Sequence, residues 1–154
     1  MIVKTPAELA ALLKTGDRLA GLDLGEKTIG IALTDVLRTV ATPLETLPRE
    51  RFTTDAEALI ALIKKHTVAG LVIGLPLNMN GTEGPSAQSA RAFARNFEKK
   101  HDLPILFWDE RLSTTAVTRT LIEADVSREK RKKVVDKMAA SFILQGVLDA
   151  MRPR

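Results

Sequence analysis

Three acidic residues stand where the types of their neighbours suggest chemistry. Asp23 lies in Gly21-Leu22-Asp23-Leu24-Gly25, a carboxylate inside an otherwise apolar, β-compatible run. An ionised group is expensive to bury in such a run unless positive charge compensates it, and a bound cation would do so. Glu110 follows Trp108-Asp109 at the end of a second apolar segment. Sites in open α/β sheets gather at the carboxyl edge of the strands, where Glu110 is expected. Asp136 falls in a helical stretch, with Lys132 and Lys133 about one turn before it and Ala139 and Ala140 about one turn after. Small residues there would let the helix approach a sheet closely, and the basic turn would face the space a phosphate occupies.

Each of these residues also has a plain structural reading. Asp23 could cap a turn, as Asp-x-Gly sequences do. Glu110 could sit in a surface loop, with Arg111 in an ion pair and Ser113 capping a following helix, Asp109 and Glu110 dividing these roles. The charged segment around Asp136 could be a solvated helix face.

If the three carboxylates converge, their mutual repulsion calls for divalent metal. The chain has no cysteine and only two histidines, His66 and His101, so the ligands would be oxygens and the ion magnesium or manganese rather than zinc. Two such ions, about 3.5 to 4 Å apart, activate water and stabilise a leaving oxygen in phosphodiester cleavage, with no nucleophilic side chain required.

The elements that must position these groups follow from periodicity. Residues 6–14 carry apolar positions at helical spacing, with Pro6 at the start and Gly16 beyond the end. Arg18 to Leu24 and Thr28 to Leu33 form a hairpin about Gly25-Glu26-Lys27. Thr42 to Leu47 adds a third strand. Thr54-Asp55-Ala56-Glu57 has capping-box spacing before a helix running to about His66. Ala69 to Leu75 lacks polar alternation, as a strand covered on both faces does, and Pro76 ends it. A turn-rich, candidate mobile loop from Asn78 to Pro85 precedes a helix over 86–100 and a strand over 104–108. Helices over 114–123 and 129–151 complete the pattern, with Ser127 as a cap for the last. Hairpin strands followed by strands alternating with helices make an α/β domain with a mixed sheet.

Composition narrows the class. At 154 residues and 45% hydrophobic, the chain can bury a core as one domain without disulfide or metal staples. It shows neither a signal-peptide order at its start nor an apolar run approaching the roughly 20 residues of a membrane span, so a cytoplasmic protein is expected. The net charge of +4 fits a polyanionic partner. With one Trp and no Tyr there is little material for a base-stacking platform, so backbone contacts are the expected mode of binding.

The motifs together resemble a known family. Gly-Leu-Asp-Leu-Gly-Glu-Lys-Thr-Ile-Gly-Ile-Ala at 21–32, Gly-Leu-Pro-Leu-Asn-Met-Asn-Gly-Thr at 74–82, Asp-Glu-Arg-Leu-Ser-Thr at 109–114 and Val-Asp-Lys-Met-Ala-Ala at 135–140 are similar to the YqgF family, described as Holliday junction resolvase-like and as pre-16S rRNA nucleases. The resemblance spans Arg18 to the last helix. It implies a ribonuclease H-like mixed sheet with helices on both faces, with residues 1–17 as an N-terminal helical extension to that one nuclease domain. It places the family's catalytic and metal-binding carboxylates on Asp23, Glu110 and Asp136, where two Mg2+ or Mn2+ ions are expected to bind. It puts Asn78, Gly81 and Thr82 at the cleft. Arg111, Lys130, Arg131, Lys132 and Lys133 are the phosphate-contact candidates. The implied activity is phosphodiester hydrolysis at the 5′ end of precursor 16S rRNA, in contact with RNA or ribosomal particles, with no membrane involved and a monomeric or homodimeric state.

Two further readings compete. A resolvase acting on branched DNA would need a symmetric dimer, for which Phe93, Phe97 and Trp108 are candidate surface residues. A ribosome-assembly or transcription factor could bind nucleic acid in the same cleft without cutting, although acidic groups in a phosphate cleft repel the ligand unless metal intervenes. The glycine-flanked Asp23 hairpin also resembles the first phosphate motif of actin-like ATPases, but the chain has room for only one of their two lobes.

Overall fold

Among the described residues, the apolar runs become six strands: β1 (Ile2–Val3), β2 (Arg18–Leu24), β3 (Thr28–Thr34), β4 (Ala41–Pro48), β5 (Val68–Leu75) and β6 (Ile105–Asp109). Among the described residues, four helices accompany them: α1 (Pro6–Ala11), α2 (Phe52–Lys65), α3 (Pro85–Lys100) and α4 (Arg128–Met151). The computed structural model describes residues 1–112 and 128–152, and of 128–135 the backbone alone. The expected helix over 114–123 and the Ser127 cap lie outside the described residues.

One sheet takes the order β1-β6-β5-β2-β3-β4. β2, β3 and β4 are antiparallel neighbours, and β5 and β6 continue parallel to β2. This is the mixed sheet expected from hairpin strands followed by crossovers. β5 lies at its centre and is buried from Gly70 to Leu75, which explains why its sequence shows no polar alternation.

Alternation along the strands feeds two cores. On one face Leu22, Ile31, Ile73 and Ile105 pack against α2 and α3 through Leu59, Phe93 and Phe97. On the other, Leu19, Val72 and Leu106 pack against α4 through Ala140, Ile143, Leu144 and Val147. Helices therefore cover both faces, as expected. Among the described residues no helix is long and apolar enough to cross a membrane.

The packing of α4 is unusually close, because three strand positions beneath it are glycines. A Cβ at Gly21 would stand 2.8 Å from Leu144 Cβ, one at Gly74 would stand 2.5 Å from Ile143 Cδ1, and one at Gly30 would collide with the Asp136 carbonyl. The helix returns the arrangement at Gly146, which receives the edge of the Trp108 indole. Removing a side chain at each crossing lets backbone approach backbone.

Several boundaries differ from the sequence expectation. Helix α1 ends at Ala11, and its cap is Thr5, whose hydroxyl accepts from the Glu8 amide. The extension packs onto the fold: Leu9 is fully buried, and Ile2–Val3 pairs with β6 as an unforeseen edge strand. Helix α2 starts at Phe52, so the Thr54 box does not form. Asp55 instead reaches back to accept from the Glu50 amide at 3.0 Å, with Arg49 3.9 Å away, tying the helix start to the segment before it. Phe93 and Phe97 are core residues and Trp108 is half-buried, so they form no exposed aromatic surface.

The glycine at position 30 offers a direct check. Gly30→Ala is expected to lower unfolding stability by about 1–3 kcal/mol or more through overpacking. Urea denaturation reads this as a lower midpoint at similar slope, and an unchanged midpoint would mean that α4 does not rest on β3.

Candidate active site

The site is built from one row of residues across three strands. Asp23, the penultimate residue of β2, is 5% exposed and pairs across the hairpin with Gly30 of β3. On the other side of β2 the parallel register runs through Leu22 and Ile73, so the next residue of β5, Gly74, comes beside Asp23. All three lie on the face that α4 covers, because Gly21 and Val72, two residues back along β2 and β5, meet that helix.

The two glycines admit the other carboxylates. Glu110 begins a single 3-10 turn, Glu110–Leu112, directly after β6, and shares the α4-facing side with Leu106 and Trp108. Its Oε1 lies 2.8 Å from where a Gly74 Cβ would be. The turn of α4 that carries Asp136 rests directly on Gly30. Glu110 thus approaches Asp23 over β5, and Asp136 approaches it over β3.

Asp136 is fixed further by a hydrogen bond from the Thr28 hydroxyl to its Oδ2. Thr28 was not singled out from the sequence. Its signal was available once the hairpin was paired, since it lies two residues before Gly30 and therefore on the same face of β3.

Asp109 and Arg111 form the ion pair that was the structural alternative for this motif. The Arg111 Nη2 to Asp109 Oδ2 distance is 2.7 Å, and Nε and the Arg111 amide also donate to the same carboxylate. Hydrogen bonding from Arg111 holds the Asp109 carboxyl below its ordinary range despite partial burial. Arg111 Nη1 donates to the Met79 carbonyl at 3.2 Å. The side chain expected to meet phosphate therefore acts here as a strut between the end of β6 and the loop after β5.

That loop is closely hydrogen-bonded. Leu77 and Glu83 form an antiparallel bridge, the Asn78 amide donates to the Thr82 carbonyl, and Asn78 Nδ2 donates to Thr82 Oγ1 at 2.9 Å. Asn78 and Thr82, expected at the cleft, shape the loop through each other. Lys130, Arg131, Lys132 and Lys133 lie on the first turns of α4, but their side chains are outside the described residues. A separate cleft of about 460 Å³ is lined by Leu24, Gly25, Glu26, Arg49, Glu50, Pro85, Ser86 and Ser89.

The donor set suits a hard cation: Asp23, Glu110 and Asp136 offer only oxygens. As they stand, no three acidic or histidine residues among the described residues are gathered at metal-ligating distance. The Thr28 bond to Asp136 Oδ2 is one local interaction that a ligating arrangement would have to accommodate.

The mixed sheet and covering helices have a clear structural relative. The chain superposes on the Thermus thermophilus RuvC structure with a TM-score of 0.55 at 10% identity, covering 89% of this chain and 99% of that one. A second structure, T. thermophilus RuvC in complex with Holliday junction substrate, gives 0.54 at 10% identity over 88% and 96%. The fold is that of the ribonuclease H-like resolvases. Residues 17–150 match the family described as "RuvX: Holliday junction resolvase", and the chain belongs to that family. It is the family that the four motifs resembled. A protein of Paramagnetospirillum magneticum, named "Putative pre-16S rRNA nuclease", is 60% identical over 97% of this chain and 96% of its own length. A protein of Ruegeria pomeroyi with the same name is 54% identical over 99% of both.

The Asp109–Arg111 pair is testable by titration. The Asp109 carboxyl should titrate below its ordinary value of 3.8, and Arg111→Gln should return it towards that value. Because the native value is depressed, the pair's contribution to stability is complete above the unfolded-state value and is lost as pH falls through the native one. Carboxyl-detected NMR across this range checks it, and an Asp109 value indifferent to Arg111→Gln would remove the pair from the solution structure.

Proposed function

We propose that this protein is a divalent-metal-dependent nuclease that hydrolyses phosphodiester bonds at the 5′ end of precursor 16S rRNA, acting in the cytoplasm on RNA or immature ribosomal particles. The observation that carries the reading is the row Gly74-Asp23-Gly30, over whose glycines Glu110 and the Asp136 turn approach a buried carboxylate. A turn cap would need no such floor. The names of relatives at 54–60% identity over nearly the whole chain support precursor 16S rRNA as substrate.

Asp23, Glu110 and Asp136 are assigned as catalytic ligands, with Thr28 positioning Asp136 through its hydroxyl. Magnesium or manganese bound there, as two ions, would supply activated water and charge neutralisation at the phosphate. The chain's own contribution is placement: a rigid sheet edge for two carboxylates and a helix locked on glycine for the third. Absence of cysteine removes thiolate nucleophiles, and hydrolysis by metal-activated water needs no nucleophilic side chain. The basic run Lys130 to Lys133, at the entrance of α4 and one turn before Asp136, is assigned to the phosphate backbone.

The family description favours a second substrate, branched DNA. The deciding assay offers precursor-rRNA ends, unstructured RNA and a four-way DNA junction to the wild type, Asp23→Asn, Glu110→Gln and Asp136→Asn with magnesium or manganese. The expected result is cleavage of the precursor by the wild type, with at least a hundredfold loss in each variant and unchanged far-UV circular dichroism. Paired cuts in the junction alone would establish the resolvase reading. Equal, metal-independent binding without cutting in all four proteins would establish a non-catalytic factor.

Lys132→Ala with Lys133→Ala should weaken binding to every sequence and reduce the slope of log affinity against log salt by about one to two. Titrations at several salt concentrations read the slope, and an unaltered one would place the run away from the nucleic acid.

A further inference from the structure

The loop between β5 and α3 carries a feature that the proposed cleavage chemistry does not use. Met79 is 94% exposed, the most exposed large apolar side chain among the described residues. It stands at the tip of a turn closed by the Gly81 amide donating to the Asn78 carbonyl at 2.8 Å, with Gly81 at φ +85. Only a residue tolerant of positive φ suits that position.

The tip is braced from both sides. Arg111, adjacent in sequence to Glu110, donates to the Met79 carbonyl. At the base of the loop, Glu83 receives a two-pronged bond from Arg91 of α3 at 2.6 and 2.8 Å, and the Arg91 guanidinium lies 5.0 Å from the Phe107 ring centre. Inside the loop, Asn80 Oδ1 accepts from both the amide and the hydroxyl of Thr82. These contacts hold an unbranched apolar side chain out in water, one arginine side chain away from the Glu110 backbone. A tip that served only to reverse the chain would need neither the braces nor the methionine.

We propose that Met79 is a wedge that enters the base stack of an RNA strand beside the scissile phosphate, so that the enzyme selects a junction between paired and unpaired RNA. The inference rests on the nuclease reading for its substrate. Apolar side chains inserted between base steps unstack them, and an unbranched thioether adapts to either base face. A junction is where the stack is already weakest, so the penalty for opening it is smallest there. The braced carbonyl of Met79 fixes the wedge relative to Glu110, so the opened step and the cut fall a set distance apart.

Two measurements test this with the full chain. The first compares kcat/KM of wild type, Met79→Ala and Met79→Leu on an RNA hairpin with an unpaired 5′ extension and on an unstructured RNA of equal length. Met79→Ala should lose at least tenfold more on the hairpin than on the unstructured strand, with Met79→Leu restoring most of the difference. Equal loss on the two substrates would overturn the wedge. The second places 2-aminopurine at the hairpin junction and uses the Asp23→Asn background, where binding is read without cutting. Binding should raise the fluorescence with Met79 present and leave it low in Asp23→Asn/Met79→Ala at saturating protein; equal rises would overturn the proposal. If the wild type cuts no RNA, the nuclease reading fails while the fluorescence comparison still decides the wedge, and absence of RNA binding would sink both.

Discussion

The close approach of α4 to the sheet governs the rest of the molecule. A helix normally rests on a sheet at a distance set by the side chains between them. Here Gly21, Gly30 and Gly74 remove those side chains at three crossings, and Gly146 removes one from the helix itself. The helix gains apolar contact along Ala140, Ile143, Leu144 and Val147 while its N-terminal half is lowered onto β3. The same absence of side chains that permits this packing leaves a floor on which charged groups can meet. Packing and the proposed chemistry therefore impose the same restriction on the same positions, and a larger residue at Gly30 or Gly74 would disturb both.

This arrangement bears on the buried acid in β2, whose charge a bound divalent cation would offset. Asp23 is 5% exposed and surrounded by strands, a setting in which an isolated carboxylate is expensive. On the proposed assignment its charge has a use, because Glu110 and Asp136 come from outside the hairpin to complete a set of oxygen donors. The neighbouring Asp109 has a different environment. It is satisfied by Arg111, which couples the end of β6 to the loop after β5. Two adjacent acids where β6 passes into the turn thus have different neighbours, Glu110 over Gly74 on the side of α4 and Asp109 against a structural arginine.

Most of the architecture was legible in the sequence because its elements announce themselves locally. The hairpin about Gly25, the unbroken apolar run of β5 and the long final helix were each found within a residue or two of their observed ends. Asp23 and Asp136 could be singled out because an acid in an apolar strand and an acid before small helical residues are both anomalies that need explanation. What the sequence hid is pairwise. Thr28 becomes interesting only when β3 is laid against Asp136, and Arg111 reads equally well as a phosphate ligand or a strut until its partners are known. The Thr54 box failed for the opposite reason: the local pattern was present, but Asp55 turned back to Glu50 and moved the helix start to Phe52. β1 is two residues long and was invisible without the edge of β6 to receive it.

The dependence on α4 also bears on when the protein becomes competent. Asp23 lies on β2 and Glu110 in the turn directly after β6, both made before Asp136, which lies in the last helix of the described chain. Domains fold as the chain emerges, N-terminal parts first. A polypeptide still held by the ribosome with that helix in the exit tunnel would have its hairpin and central strands outside, with a bare glycine groove and an uncovered apolar face, but only two of the three acids. On the proposed assignment, cutting must await the emergence of α4 from the tunnel and its docking on the glycine groove, a step later than the folding of the hairpin that carries Asp23.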